Sequence, residues 1–391
     1  MEKFLLSRRM FLASACCAAA SPLITPMSFA AAPGENRMVT IVLRGALDGL
    51  HLVQPYADPL LKQYRPDLAL DPASGLIDLD GYFGLHPTAA DLLPLWKSGE
   101  LGFIHAVSTP YRDARSHFDG QDILETGGEH VAAEDTGWLN RALSSIPRSR
   151  SSKAIDVNAS AELILTGPNP VDVWSTQSDL NIEPDELTFF SRLYKNDPAF
   201  AKAFGEAVGA DTDADNVFNG EQRKDDPAGI AKLTAGMLKG DYRIANFSIG
   251  GWDTHIGQRN IFNRPLKGLV RAITALKADL GPDLWSKTAI LAITEFGRTV
   301  RQNGSKGTDH GTGGLAIVAG GAIRGGKVYG KWPGLKDAQL FESRDLMATG
   351  DVREVAAALL NAQFDISAGD LTSKVFPGLS LDLRGQAFLR G

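Results

Sequence analysis

Asp253 and His255 stand two apart in Gly250-Gly251-Trp252-Asp253-Thr254-His255. Side chains two apart on an extended segment face the same way. A carboxylate and an imidazole would then reach one point, which suits joint ligation of a metal ion. The plainer alternative is a hydrogen bond from His255 to a loop carbonyl. Asp309 and His310, in Gly307-Thr308-Asp309-His310-Gly311, are adjacent and diverge on an extended chain, so at most one of them is expected to ligate directly, and His310 is the choice. Glu295 lies three residues before Arg298. It is either a metal carboxylate or half of a surface ion pair. Asp48, in Arg44-Gly45-Ala46-Leu47-Asp48-Gly49, is a further metal carboxylate or the start of a turn. Imidazoles suit zinc or manganese, whereas an all-oxygen set such as Asp48, Glu295 and Ser116 would suit magnesium, calcium or manganese.

Ser116 opens Ser116-His117-Phe118-Asp119 ahead of an expected helix. One reading is an N-cap with Asp119 in the capping-box position. The other is a nucleophile at a helix N-terminus, where free N–H groups hold a phosphate or sulfate, with His117 assisting the leaving group. His51, His86, His105 and His130 have no partner pattern and are taken as structural. Gly321 to Val328 nearly matches a phosphate-binding loop but lacks the hydroxyl after Lys327, and Trp332-Pro333 cannot open a helix, so turns are expected.

These residues need a frame that gathers them. Apolar runs at 38–43, 101–107, 243–249, 288–293 and 315–319 read as strands. Helical patterns cover 88–97, 118–126, 227–238, 258–280 and 351–361, with Asp226 as an N-cap before Pro227. The alternation predicts an α/β fold, a mainly parallel sheet with helices on both faces. Each chemistry-bearing residue then falls just after a strand or, for His310, just before one. In an open parallel sheet the strands' carboxyl ends share one edge, where ligands bind. The polar segment from about 147 to 226 breaks the rhythm and reads as an insertion over one sheet edge. It holds a Ser/Arg run at 148–152, helical patterns at 185–193 and 199–208, and an acidic loop at 211–225.

Ser7-Arg8-Arg9-Met10-Phe11-Leu12 has the form of a twin-arginine export signal. The weakly apolar stretch that follows is too short and interrupted for a membrane span. Small residues at 28–32 offer cleavage, which predicts a signal of residues 1–32, a single domain over 33–391, a periplasmic or secreted location, and the translocase as a partner during export. The two cysteines, Cys16 and Cys17, fall inside that signal, so no disulfide is expected in the mature chain. The chain carries a net charge of −6, and −8 without residues 1–32, which hold Glu2, Lys3, Arg8 and Arg9. With no basic block, nucleic acid is not an expected partner. No other apolar run reaches spanning length, so no stable membrane anchor is expected.

Thr294-Glu295-Phe296-Gly297-Arg298, the Gly250–His255 run, Arg115-Ser116-His117-Phe118 and Gly307–Gly311 together resemble the motifs of the bacterial family called domain of unknown function 1501. The resemblance covers nearly the whole mature chain and implies a fold like that of alkaline phosphatases and sulfatases, which bind metals at strand ends and cleave phosphate or sulfate esters. By motif, Asp48 resembles the first-strand metal carboxylate, Ser116 the nucleophile, Asp253, His255 and His310 the ligands of one metal, and Glu295 a carboxylate of the other. Phe296 stands where that superfamily has a second-metal histidine, and the Asp253/His255 spacing is shorter than its usual pair. Ser108 to Arg112 matches the sulfatase modification motif weakly and ranks below Ser116. The expected function is a divalent-metal-dependent hydrolase acting on a small-molecule or glycan ester. The alternative is a non-catalytic envelope protein that keeps the fold and binds a glycan or protein partner.

Overall fold

The computed structural model describes residues 35–382 apart from 113–114, 148–152, 159, 175–183, 196, 198–200, 202–203, 206–207 and 209–225. The twin-arginine segment with both cysteines, the Ser/Arg run and the acidic loop at 211–225 lie outside the described residues. Among the described residues nine strands form the central sheet: β1 (Arg37–Leu43), β2 (Leu101–Ser108), β3 (Lys153–Asp156), β4 (Asp172–Val173), β5 (Tyr242–Ile249), β6 (Thr288–Ile293), β7 (Gly314–Ala319), β8 (Val328–Tyr329) and β9 (Gly350–Asp351). Their order is β8-β2-β7-β6-β1-β5-β3-β4, with β9 also paired to β2. Helices of eight residues or more are α1 (His117–Thr126), α2 (Trp138–Ser145), α3 (Pro184–Tyr194), α4 (Pro227–Lys239), α5 (Asn263–Trp285) and α6 (Val352–Phe364).

Alternation along β1 shows how the layers form. Val39, Ile41 and Leu43 enter one core with Leu266, Leu269, Ile273 and Leu276 of α5 and with α4. Met38 and Val42 enter a second core with Leu139 of α2 and Val355, Leu359 and Phe364 of α6. Side chains of successive strand residues point to opposite faces, so a strand buried along its whole length needs helices on both sides. The sheet is α/β and mostly parallel, as expected, with one departure: β7 runs antiparallel to both β2 and β6. The physical reason lies in residues 294–313. They contain no amphipathic helix to cross over the sheet, so the chain leaving β6 returns from the same edge, and a neighbour re-entering there must run antiparallel.

Register brings the strand ends together. Leu43 lies beside Ile249 and Val42 beside Ile293 across parallel pairs, and Gly314 at the start of β7 lies beside Val107 near the end of β2. The loops after β1, β2, β5 and β6 and the loop before β7 therefore meet at one edge. The segment between β2 and β5 adds β3 and β4 to the far edge in parallel. The expected helix at 258–280 is divided into Gln258–Ile261 and α5, which continues to Trp285 across a kink at Gly281, before Pro282. The expected helix at 88–97 is a 3-10 turn, Pro87–Leu92, followed by a short helix, Leu93–Lys97. Among the described residues no helix is long and apolar enough to cross a membrane.

Candidate metal centre

Three imidazoles and one carboxylate converge at this edge. Asp253 Oδ1 stands 3.0 Å from His255 Nε2, 3.3 Å from His310 Nε2 and 3.5 Å from His117 Nε2. His255 Nε2 and His310 Nε2 are 3.0 Å apart. His117 comes from the first residue of α1, Asp253 and His255 from the loop after β5, and His310 from the loop before β7. Ligand atoms of His117, Asp253 and His310 all lie within 4.8 Å of one another.

The second nitrogen of each ring is held from behind. His117 Nδ1 meets Glu295 Oε1 at 2.8 Å, His255 Nδ1 meets Asp309 Oδ1 at 3.0 Å, and His310 Nδ1 meets the Arg115 carbonyl at 2.7 Å. An acceptor at Nδ1 calls for a proton there, which leaves a lone pair on Nε2 of the neutral ring. Three lone pairs and a carboxylate oxygen then face one another, an arrangement that repels itself unless a cation sits among them. His117 Nε2 is moreover buried without a hydrogen-bond partner. A buried polar atom left so is costly. These residues thus fit a borderline cation, and backing acceptors of this kind fix the tautomer and raise the basicity of ligating histidines.

Sequence determines why each segment takes its place. Ser116 caps α1, its Oγ accepting from Asp119 N at 3.5 Å, while its own N–H donates to Tyr111 Oη at 2.9 Å. In the loop after β5, buried Trp252 is the anchor, its Nε1 donating to the Ile249 carbonyl at 2.9 Å. That loop rests on the segment before β7: Asn303 Nδ2 donates to the His255 carbonyl at 3.0 Å, and a Cβ at Gly307 would fall 2.2 Å from it. Only glycine permits that approach. A Cβ at Gly297 would lie 1.9 Å from the Gly313 carbonyl, so the glycine of Thr-Glu-Phe-Gly-Arg lets the two arms of the β6–β7 connection pair, Gly311 N donating to the Gly297 carbonyl at 2.8 Å.

Arg298 ties these loops to Asp253. It is fully buried, and it donates to the carbonyls of Ala46 (2.8 Å), Gly45 (2.6 Å), Trp252 (3.1 Å) and Thr308 (3.1 Å) and to Asp253 Oδ1 (2.6 Å). Burial raises the pKa of Asp253, but the hydrogen bond and charge of Arg298 outweigh it and hold the carboxyl at about 2. The hydrogen bond that His117 donates to Glu295 raises the pKa of His117, while burial lowers that of His310.

The expected residues divide into two groups. Asp253, His255 and His310 meet, and His117 joins them by its ring. Asp309 and His310 diverge, one to the back of His255 and the other into the cluster. Glu295, buried, faces the back of His117 and also accepts from Gly45 N (2.9 Å) and Thr294 Oγ1 (2.7 Å); it forms no ion pair with Arg298. Asp48 is buried elsewhere, accepting from Arg65 Nη1 (2.7 Å), Gln258 Nε2 (2.6 Å) and His51 N (3.2 Å). The oxygens of Asp48 and Glu295 thus face different partners, Arg65, Gln258 and the His51 N–H for one, and His117, the Gly45 N–H and Thr294 for the other. Phe296 is a wall: its ring stacks on His117 (centroids 5.3 Å, 24°) and tilts against His310 (5.2 Å).

The profile of a family described as "Protein of unknown function (DUF1501)" matches residues 105–372. The chain belongs to the DUF1501 family. The match takes in every residue of the cluster and all of its backing groups, and leaves Asp48 outside. Comparison with curated proteins gives no match. Within this DUF1501 chain, sequence reasoning missed the place of the His117 ring in the cluster and the contacts of Arg298 and Asp309. The available signal was their position inside the four motifs, each holding at least one residue of the cluster or one group that backs it.

Proposed function

We propose that this DUF1501 protein is an exported, metal-dependent hydrolase of phosphate or sulfate esters. The convergence of His117, His255 and His310 Nε2 on Asp253 Oδ1, each ring fixed from behind, carries the reading. Three nitrogen donors favour zinc or manganese over magnesium or calcium. Such an ion, when bound, supplies Lewis acidity toward a phosphoryl or sulfuryl oxygen. Glu295, Asp309 and the Arg115 carbonyl orient the rings, and Arg298 orients Asp253. Side chains of Asp253 and His255 are 45% and 38% exposed, which supports access from solvent. Ser116, one residue before His117, is the proposed nucleophile; its 3.5 Å cap contact is long, and leaves the hydroxyl able to turn toward a bound ester. The arginine pair at residues 8–9 and the small residues at 28–32 support export and a periplasmic or secreted site of action.

One observation favours a second reading, a non-catalytic envelope protein with a metal. Four protein donors, His117, His255, His310 and Asp253, would fill every position of a four-coordinate ion, as in structural zinc sites. Elemental analysis of purified mature protein, with hydrolysis of aryl phosphate and aryl sulfate esters, separates the two. The hydrolase reading expects one zinc or manganese per chain, lost in His255→Ala, and turnover that falls at least ~100-fold in Ser116→Ala at unchanged metal content. Metal without turnover on any ester supports the envelope reading. An equal trace of metal in wild type and His255→Ala refutes both.

A further inference from the structure

A polar cavity of about 210 Å³ has Arg301, Gln302, Asn303, Asp309, Ser343 and Arg344 in its wall. None of His117, Asp253, His255 and His310 lines it, so it is separate from the Nε2 cluster. Most of the wall is anchored. Arg301 donates to Asp337 Oδ1 (2.7 Å) and the Ser343 carbonyl (3.2 Å), and stands over the Tyr64 ring at 4.1 Å. Gln302 pairs with Asp67 through both ends of its amide, and Asn303 donates to the His255 carbonyl and Asp309. Glu342 and Ser343 both hold φ at 53°, a left-handed pair that is uncommon outside glycine. Arg115 pins that turn through Glu342 (2.7 Å) and Asp345 (3.0 Å). Three side chains of the wall keep open polar atoms among the described residues. Arg344 donates through Nη1 alone, to Asp345 Oδ1 at 2.8 Å, which leaves Nε and Nη2. Asp309 accepts at Oδ1 alone, which leaves Oδ2. Ser343 is held by its carbonyl, which leaves Oγ. The Asp309 and Arg344 side chains are 49% and 40% exposed, so a ligand can reach both.

We propose that this cavity binds a small hydroxylated carboxylate, of the class of the sugar acids. The carboxylate meets Nε and Nη2 of Arg344, two parallel donors on one side of a planar fork. Hydroxyls of the ligand meet Asp309 Oδ2 and Ser343 Oγ. Two guanidiniums against one carboxylate in the wall favour an anion, and Asp309 opposes the second charge of a phosphate dianion. The volume lies below the ~300–1,000 Å³ of drug-sized pockets, which limits the occupant to about one sugar ring. A wall that is already anchored loses little freedom on binding. The site is independent of the hydrolase reading, since no residue of the metal cluster takes part.

Titration calorimetry of the mature protein in chelator tests this with glucuronate, acetate and glucose. Glucuronate should bind at least about tenfold more tightly than acetate, which lacks the hydroxyls, and than glucose, which lacks the carboxylate. Arg344→Gln should weaken glucuronate about tenfold to a hundredfold, the range for a charge-assisted hydrogen bond, at an unchanged urea midpoint. Arg344→Lys keeps the charge without the fork and should weaken it less; it supplies the comparison if Arg344→Gln alters the midpoint. No glucuronate binding in chelator, binding that appears only with zinc, equal affinity for glucuronate and acetate, or unchanged affinity in both Arg344 variants overturns the proposal. Failure of the hydrolase reading would leave each expected result in place, because the assay contains no free metal and reads no turnover.

Discussion

Replacing Arg298 should loosen the whole site at once. Its guanidinium makes five hydrogen bonds, four to carbonyls of the loops after β1, after β5 and before β7, and one to Asp253. Arg298→Met keeps much of the volume and removes every donor. At about 1 kcal/mol for each bond the loss is about 5 kcal/mol, and removing one partner of a buried pair typically costs about 3–5 kcal/mol. Asp253 remains half exposed and is rehydrated, which puts the expected loss near the lower end, about 3–4 kcal/mol. For a domain of this size that lowers Tm by roughly 6–12 °C, at about 2–3 °C per kcal/mol. Arg298→Lys keeps the charge but offers three donors in place of a planar fork, and should fall between. The assay is urea unfolding of the mature protein in chelator, so that metal binding does not enter, followed by zinc titration of the folded variants. Zinc affinity should drop about 10- to 100-fold in Arg298→Lys, because Asp253 is no longer fixed. An Arg298→Met protein within about 1 kcal/mol of wild type, or Arg298→Lys with unchanged zinc affinity, refutes the reasoning.

Glu295→Gln should weaken zinc binding about 10- to 100-fold, since an amide backs His117 less basically than a carboxylate; competition with a chromophoric chelator measures it, and unchanged affinity would remove Glu295 from the site. Gly307→Ala should destabilise the chain by about 1–3 kcal/mol, because its Cβ would meet the His255 carbonyl at 2.2 Å; its urea midpoint checks this. Buried His51, His86 and His105 have pKa values lowered by burial to about 3, 4 and 4. The folded state keeps them neutral while the unfolded chain protonates near 6.5, so their stability is full above that pH and is lost as pH falls toward 4. At pH 5 each should cost about 2 kcal/mol relative to neutral pH. In chelator, His51→Phe should remove its share of the difference between urea midpoints at pH 7.5 and 5, and an unchanged difference would mean that His51 is not kept neutral.

The fold was legible wherever a pattern is local. Continuous apolar runs marked the strands at 38–43 and 288–293, and Asp226 before Pro227 marked the start of α4, because strand burial and helix capping act over a few residues. Gathering of the motifs at one edge followed from alternation alone, since parallel strands align their carboxyl ends. The direction of β7 was also present in the sequence, as the lack of a crossover helix between 294 and 313, but it passed beneath the stronger αβ rhythm.

Sequence by itself determined which residue types are available: three motif histidines, the Asp253/His255 pair, and the divergence of Asp309 from His310. Tertiary structure alone decided which atom of each faces which partner. Glu295 turns to the back of His117 because Gly45 N and Thr294 Oγ1 hold its carboxylate there, and Asp48 turns away because Arg65, 17 residues further on, folds beneath it. Ring orientation depends on contacts 54 to 195 residues distant, from His255 to Asp309, His117 to Glu295 and His310 to Arg115. Spacing along a chain sets the face on which a side chain starts; long-range hydrogen bonds in a buried site set where it ends.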